Sequence, residues 1–129
     1  MNKIDENKND SKKIKVSIFD SLINSIALNK DNIKIKGITG SSISILIFKL
    51  FKKLDIPVFY LTHDIEKSSY IYTDLYDTVD KDLNYFPSRF RKSSNKIEDK
   101  SNILSRTKIL NEINQNKNQV YVLSTDSII

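Results

Sequence analysis

The sequence contains no cysteine and no tryptophan, and it has only two glycines, two prolines and one histidine among 129 residues. Without thiols the chain can form no disulfide framework, no thiolate metal site and no cysteine nucleophile, which suits a reducing compartment. A single histidine, His63, excludes a metal site built from several imidazoles. The low glycine and proline content also excludes a collagen-like chain.

Long hydrophobic runs are also absent. The longest strongly apolar stretch, Ile43 to Phe51, is well short of a membrane span and contains Lys49. The first residues, Met1 to Lys13, are polar and lack the apolar centre of a secretory signal. We therefore expect a soluble, cytoplasmic protein without a membrane partner.

Size and charge indicate one globular domain. Hydrophobic residues make up 39% of the chain and charged residues 29%, close to globular averages. The net charge is +5, but 18 lysines stand against 3 arginines, beside 20 isoleucines and 13 asparagines. We attribute this bias to an AT-rich genome. Because the lysines are spread along the chain, the charge alone does not indicate a nucleic-acid surface.

The chain is predicted to have three parts. Residues 1–13 are too polar to bury a core and are interpreted as a disordered tail. Residues 14–31 are predicted to hold an amino-terminal helix ending near Asn29, because apolar residues recur from Val16 to Ile26 at helical spacing. Residues 32–129 are predicted to form an α/β domain.

Short apolar strands alternate with helical patterns in this third part. The predicted strands are Ile33–Ile38, Val58–Leu61, Leu83–Phe86 and Val120–Leu123. The continuous apolar run Val58–Leu61 is interpreted as a central strand covered on both faces. The predicted helices are Ser42–Leu54, Ile65–Val79 with Asp64 as its cap, and Ile103–Ile113 with Ser101 as its cap. Ser88–Lys100 is predicted to be an exposed loop, and Asp126 to cap a further helix. This alternation predicts an α/β fold with a mostly parallel sheet and flanking helices.

The turn between the first predicted strand and its helix lies where a phosphate-binding loop would lie. A complete loop reads G-x-x-x-x-G-K-[ST], with backbone N–H groups around the phosphates, a lysine on the outer phosphates and a hydroxyl on magnesium. Here Ile43 occupies the lysine position. The residues that remain as a degenerate phosphate loop are Gly37, Gly40, Ser41, Ser42 and Ser44. The alternative is a tight turn that uses its glycines for geometry alone.

Other candidate residues are fewer. Arg89, Arg91 and Lys92 flank Phe90 in the predicted loop and form the densest basic patch, which could contact nucleic acid or be a solvated loop. His63 beside Asp64 could be a base or a polar turn residue. Tyr70, Tyr72 and Tyr76 are interpreted as a packing stripe on one helix. The sequence indicates no catalytic group and no metal site.

The order of these segments resembles a known family. The matching segments are Lys36–Ser42, Leu50–Leu54, Pro57–Asp64, Tyr85–Ser88, Asn102–Arg106 with Ile109–Asn111, and Val122–Asp126. Together they resemble the amino-terminal region of bacterial transcription-repair coupling factor, in its Bacteroidetes form. That region is similar to the first domain of the excinuclease B subunit, which is a helicase-like P-loop domain. In the coupling factor the equivalent loop lacks this lysine. Ile43 at the lysine position of the present sequence follows the same pattern.

The resemblance implies a function and partners. It implies a non-hydrolysing scaffold domain of transcription-coupled nucleotide excision repair, without a cofactor and without an enzyme activity of this chain. The family's partners are the excinuclease A subunit, bound mainly by the next domain, and RNA polymerase. The family's polymerase-binding and translocase domains have no counterpart in this chain, which we interpret as a truncated, incomplete domain whose remaining domains would be encoded elsewhere.

Two alternatives stay open at this stage. One is a helicase-type fragment that still binds ATP and magnesium through Gly40 to Ser44. The other is a DNA-contacting domain that uses Arg89, Arg91 and Lys92.

Overall fold

A computed structural model describes residues 19–28, 32–88 and 96–128. The chain divides into two compact units, Met1–Ile38 and Thr39–Ile129. In the first unit, residues 19–28 are helical (α1) and lie within the predicted amino-terminal helix. Ile23 of α1 is buried.

The predicted strand Ile33–Ile38 is wrong. Residues 32–38 adopt neither helix nor strand, and Ile33 and Ile35 are exposed. An alternation of apolar and polar residues shows only that one face of a strand could be buried. A strand also needs a neighbouring backbone to hydrogen-bond, and this segment belongs to no sheet in the part of the chain that the structure describes.

The second unit alternates helices with three short strands. Its helices are α2 (Ser42–Leu54), α3 (Ile65–Val79), α4 (Lys96–Asn114) and α5 (Thr125–Ile128), and a 3₁₀ turn covers Asp80–Asp82. Its strands are β1 (Val58–Thr62), β2 (Leu83–Phe86) and β3 (Val120–Ser124). The prediction of α2, α3 and all three of these strands is confirmed to within a residue or so at each end. Asp55, in the left-handed region, ends α2 before Pro57.

The three strands form an open parallel sheet in the order β1-β3-β2. Val58 and Leu83 both lie opposite Val120, so that all three strands begin at the same level. The central strand is therefore β3, and the prediction of Val58–Leu61 as a central strand is wrong. Phe59 of β1 is 51% exposed, whereas Val120 is fully buried. An apolar run shows that a strand can be covered, but the pairing of distant segments decides which strand is covered most.

Helices α2 and α3 cover one face of the sheet. Leu75 of α3 is completely buried, and Ile47 and Phe51 of α2 pack with it against the side chains of Val120 and Val122. The helical spacing of these apolar residues places them on one side of each helix. This layer is the main hydrophobic core.

Helix α4 covers part of the other face, where Ile109 packs with Phe86 and Tyr121. This helix begins at Lys96, so the prediction of an exposed loop over Ser88–Lys100 is wrong for its last residues. Ser101 lies inside the helix and is not its cap. The first turn of α4 is mostly polar and shows no hydrophobic periodicity. The start of the helix therefore cannot be located from hydrophobic spacing.

Helix α5 follows β3 directly. The Ser124 backbone N–H donates to Ser127 Oγ at 2.9 Å, and the Ser127 hydroxyl donates to the Ser124 carbonyl. Asp126 lies in the first turn of this helix rather than at its cap. Within the described ranges, no helix is both long and apolar enough to cross a membrane.

Candidate functional site: the turn before α2 and the adjacent cleft

The turn that leads into α2 contains both glycines of the chain. Gly37 has φ +81° and Gly40 has φ +56°, a region that residues with a side chain rarely adopt. A Cβ atom at Gly40 would meet no other atom within 4 Å. The glycine there is favoured by the backbone conformation and not by the close approach of a neighbouring group.

The backbone amides of this turn are used within the turn itself. The Ser42 N–H donates to the Thr39 carbonyl at 3.3 Å, and the Ile43 N–H donates to the Gly40 carbonyl at 3.1 Å. In a phosphate-binding loop, such amides point at the ligand instead. Residues 39–43 thus form a hydrogen-bonded turn at the start of α2.

Two serine hydroxyls of the turn and of the first residues of α2 have different environments. Ser41 Oγ donates to Asp74 Oδ1 at 3.4 Å and makes no side-chain cap to its own helix. Ser44, the residue at the magnesium-binding position of the loop motif, is 4% exposed. Its Oγ and the Asp74 Oδ2 are buried atoms with no hydrogen-bond partner among the described residues.

Ile43 stands where a phosphate-binding loop has its lysine. Its side chain is half-buried and packs against the main hydrophobic core. An aliphatic group can supply no charge-assisted hydrogen bond to a phosphate, a contact worth about 1.5–3 kcal/mol. This position contributes to packing.

A cleft of about 520 Å³ opens beside the turn. It lies at the carboxyl end of β1 and at the amino-terminal ends of α2 and α3, where ligands commonly bind in α/β folds. Its lining consists of Gly40, Ile43, Tyr60, Asp64, Glu66, Lys67, Tyr70 and Ile71. Two carboxylates and one ammonium line the cleft, and this balance disfavours a polyphosphate.

Asp64 caps α3, as the sequence predicts. Its Oδ1 accepts the backbone N–H of Lys67 at 2.6 Å. Tyr60 has a raised pKa, because burial disfavours its charged form; the hydrogen bond with Thr62 lowers the pKa and the Asp64 carboxylate raises it. The phenol in the cleft is therefore neutral at physiological pH.

His63 lies between β1 and α3. It is exposed, and its backbone carbonyl accepts a hydrogen bond from Thr125 Oγ1 at 2.8 Å. The contact that the structure assigns to this residue is thus a backbone contact with the start of α5.

The three tyrosines of α3 have different environments. The ring of Tyr72 makes edge contacts with Tyr85 at 5.4 Å and with Tyr76 at 6.0 Å. Tyr70 and Tyr76 are more than half exposed. Only Tyr72 packs against the main core, so the interpretation of a packing stripe holds for one residue of the three. The basic patch Arg89, Arg91 and Lys92, with Phe90, lies outside the described residues.

Arg106 of α4 makes contacts that its sequence context did not predict. Its guanidinium lies 4.4 Å from the centre of the Phe86 ring and donates to the carbonyls of Pro87 at 2.6 Å and Ser127 at 2.9 Å. It lines an apolar groove of about 270 Å³ between α4, the sheet and α5. Its spacing from Ile109 and Ile113 places it on the buried side of α4, and this spacing could have identified it.

No group of three or more histidine, aspartate or glutamate side chains capable of holding a metal ion occurs in the part of the chain that the structure describes. No model of a protein family, no curated protein and no solved structure matches the chain.

Proposed function

We propose that this chain is a non-hydrolysing α/β scaffold module of transcription-coupled nucleotide excision repair that acts through protein contacts in the cytoplasm. The proposal joins the resemblance of its segments to the amino-terminal region of transcription-repair coupling factor with the closed turn before α2. The complete domain would have a helicase-like P-loop fold whose loop no longer binds a nucleotide. Its partners would be the remaining domains of the coupling factor, and through them the excinuclease A subunit and RNA polymerase.

The proposal depends on the backbone hydrogen bonds and the side-chain packing of the turn before α2. The amides of Ser42 and Ile43 donate to carbonyls of the same turn, and the half-buried Ile43 side chain packs against the core. Binding a triphosphate would require these two hydrogen bonds to break and a charge that the turn does not contain. Contacts with other proteins require neither.

A nucleotide titration separates this proposal from an ATP-binding fragment. A fluorescent ATP analogue with magnesium should show no saturable binding to the full chain at protein concentrations up to about 1 mM. A Kd of about 1 mM corresponds to a binding free energy of only about 4 kcal/mol. Saturable binding at micromolar concentration that is lost in both Gly40→Ala and Ser44→Ala would contradict the proposal. Lys67→Ala is the matched control for non-specific attraction, because Lys67 lies in the same cleft but outside the turn.

A repair assay tests the proposed role in transcription-coupled nucleotide excision repair. Cells with and without the gene are irradiated with ultraviolet light, and lesion removal is measured separately on the transcribed and the non-transcribed strand. The faster repair of the transcribed strand should disappear without the gene and return with the wild-type chain. It should return equally with Ser44→Ala, because the proposed function uses no nucleotide. Equal strand bias with and without the gene would exclude the repair function.

A further inference from the structure

The outer edge of β1 pairs with no other strand that the structure describes. Among the described residues, β1 pairs with β3 only. The Val58 N–H donates to the Gln119 carbonyl at 3.0 Å, so that the backbone groups of Val58, Tyr60 and Thr62 point at β3. Because successive residues of a strand point in opposite directions, the backbone N–H and C=O groups of Phe59 and Leu61 point outward.

The side chains of the same two residues are unusually exposed for their type. Phe59 and Leu61 are each 51% exposed on the face that α4 covers only in part. Phe59 stacks on Tyr121 at 4.8 Å between ring centres, so that one side of its ring is covered and its orientation is set. Proteins usually protect such edges with a charged side chain, a proline or a bulge, but Val58–Thr62 contains no charge and no proline.

We propose that β1 pairs with β1 of a second copy of this chain, antiparallel around a two-fold axis at Tyr60. Phe59 would lie opposite the partner's Leu61, and Leu61 opposite the partner's Phe59. Since these residues carry the outward backbone groups, four N–H···O=C hydrogen bonds would form. The product is one continuous six-stranded sheet, a form of strand addition in which both partners supply the same surface.

The edge is self-complementary beyond these two residues. Residues directly opposite in an antiparallel pair share a face, so the exposed side chains of Phe59 and Leu61 would meet the same two side chains of the second copy. The same register places Val58 opposite the partner's Thr62, and Val58–Thr62 carries no charged side chain. No like charges therefore meet across the pair. Pro57 lacks an N–H and limits the hydrogen-bonded ladder to the uncharged strand.

The first experiment measures the mass of the full chain by sedimentation equilibrium between about 10 and 300 µM, because an interface of this small size is expected to be weak. The wild-type chain should form a dimer in this range. Leu61→Lys should raise the dissociation constant at least tenfold, since a charge at this position would lie within the paired strands. Tyr76→Lys is the matched control, because Tyr76 is a comparably exposed aromatic residue on α3 and the dimer should keep its affinity.

A second experiment tests the register without weakening the edge. The chain has no cysteine, so introduced thiols are the only ones present. Phe59→Cys mixed with Leu61→Cys should oxidise to a disulfide-linked dimer, because Cα atoms of a hydrogen-bonded antiparallel pair lie about 5.5 Å apart. Each variant alone should give little, because its own thiols lie two residues out of register. Tyr70→Cys mixed with Leu61→Cys controls for random encounters.

The outcomes separate this inference from the alternatives. A monomer at the highest concentration overturns it, whether the edge is vacant or occupied by another part of the chain. A dimer that keeps its affinity in Leu61→Lys and gives no mixed disulfide uses a different surface and also overturns it. The mixed disulfide together with the weakened Leu61→Lys dimer supports it. Neither result depends on the repair function proposed above.

Discussion

At the scale of single residues, Ile43 and Ser44 at the start of α2 differ in how well their side chains are accommodated. Ile43 is half-buried and packs its aliphatic side chain against the core. At Ser44 the hydroxyl is buried without a hydrogen-bond partner among the described residues. A buried hydroxyl without a hydrogen bond costs about 1–3 kcal/mol. We therefore expect the serine at this position to lower the stability of the fold.

Replacing this serine should make the protein more stable. Ser44→Ala removes the unpaired hydroxyl and introduces the best helix-forming residue, and we expect the free energy of unfolding to rise by about 1 kcal/mol. Urea denaturation followed by circular dichroism measures this change.

Ser68→Ala is the matched control. Ser68 is equally buried, but its hydroxyl donates to the Ile65 carbonyl at 2.7 Å and lies 3.1 Å from the Tyr85 hydroxyl. This variant should lose about 1 kcal/mol. A destabilised Ser44→Ala would contradict the assignment of an unpaired hydroxyl.

At the scale of elements, α4 is held to the sheet by few apolar side chains and one arginine. Of its residues, Ile109 is buried and Ile113 is half-buried, whereas Ile103 and Leu104 are mostly exposed. Arg106 joins the helix to the end of β2 through Pro87 and to α5 through Ser127. A guanidinium that stacks on an aromatic ring and donates to two carbonyls makes planar contacts that a lysine cannot reproduce.

The docking of α4 should therefore depend on this arginine. Arg106→Met keeps most of the apolar stem but leaves two carbonyls without their donor, and we expect a loss of about 2–3 kcal/mol in the free energy of unfolding. Arg106→Lys should lower the free energy of unfolding by an intermediate amount. Lys108→Met on the exposed side of the same helix is the control and should change stability by less than about 0.5 kcal/mol. Urea denaturation of the three variants tests this, and an effect of Arg106→Met as small as that of Lys108→Met would contradict it.

At the scale of the whole molecule, the two faces of the sheet are covered unequally. Two helices, α2 and α3, cover one face of three strands, whereas among the described residues α4 covers only part of the other face and leaves Phe59 and Leu61 half exposed. Burial in this packing raises the pKa of both Tyr60 and Tyr121 above the ordinary value of a tyrosine.

The stability of the folded chain should consequently fall in alkaline solution. Below pH 10 both phenols are protonated in the folded and in the unfolded chain. Above pH 10 the unfolded chain loses these protons first, so that it binds fewer protons than the folded chain and stability decreases as pH rises. Thermal unfolding between pH 8 and about 11 measures this slope. The double variant Tyr60→Phe with Tyr121→Phe should show a shallower decrease, and an identical decrease would contradict the prediction.

The amino-acid sequence by itself determined the elements whose formation depends on near neighbours. The apolar spacing of α2 and α3, the Asp64 cap, and the ends of β1 and β2 near Pro57 and Pro87 are all local, because the groups involved lie within a few residues of each other. The mismatch of Ile43 with the lysine position of the loop motif is likewise read from the sequence alone.

Only the tertiary structure decided what depends on distant segments. The order β1-β3-β2, the exposure of Phe59 and the contacts of Arg106 with Pro87 and Ser127 all join parts of the chain that are far apart in sequence. The tertiary structure also decided the fate of the predicted strand Ile33–Ile38. Its residues alternate as in a strand, but the segment pairs with no strand that the structure describes. Hydrophobic spacing records which side of a segment can be buried, whereas the partner that buries it is set by the packing of the whole chain.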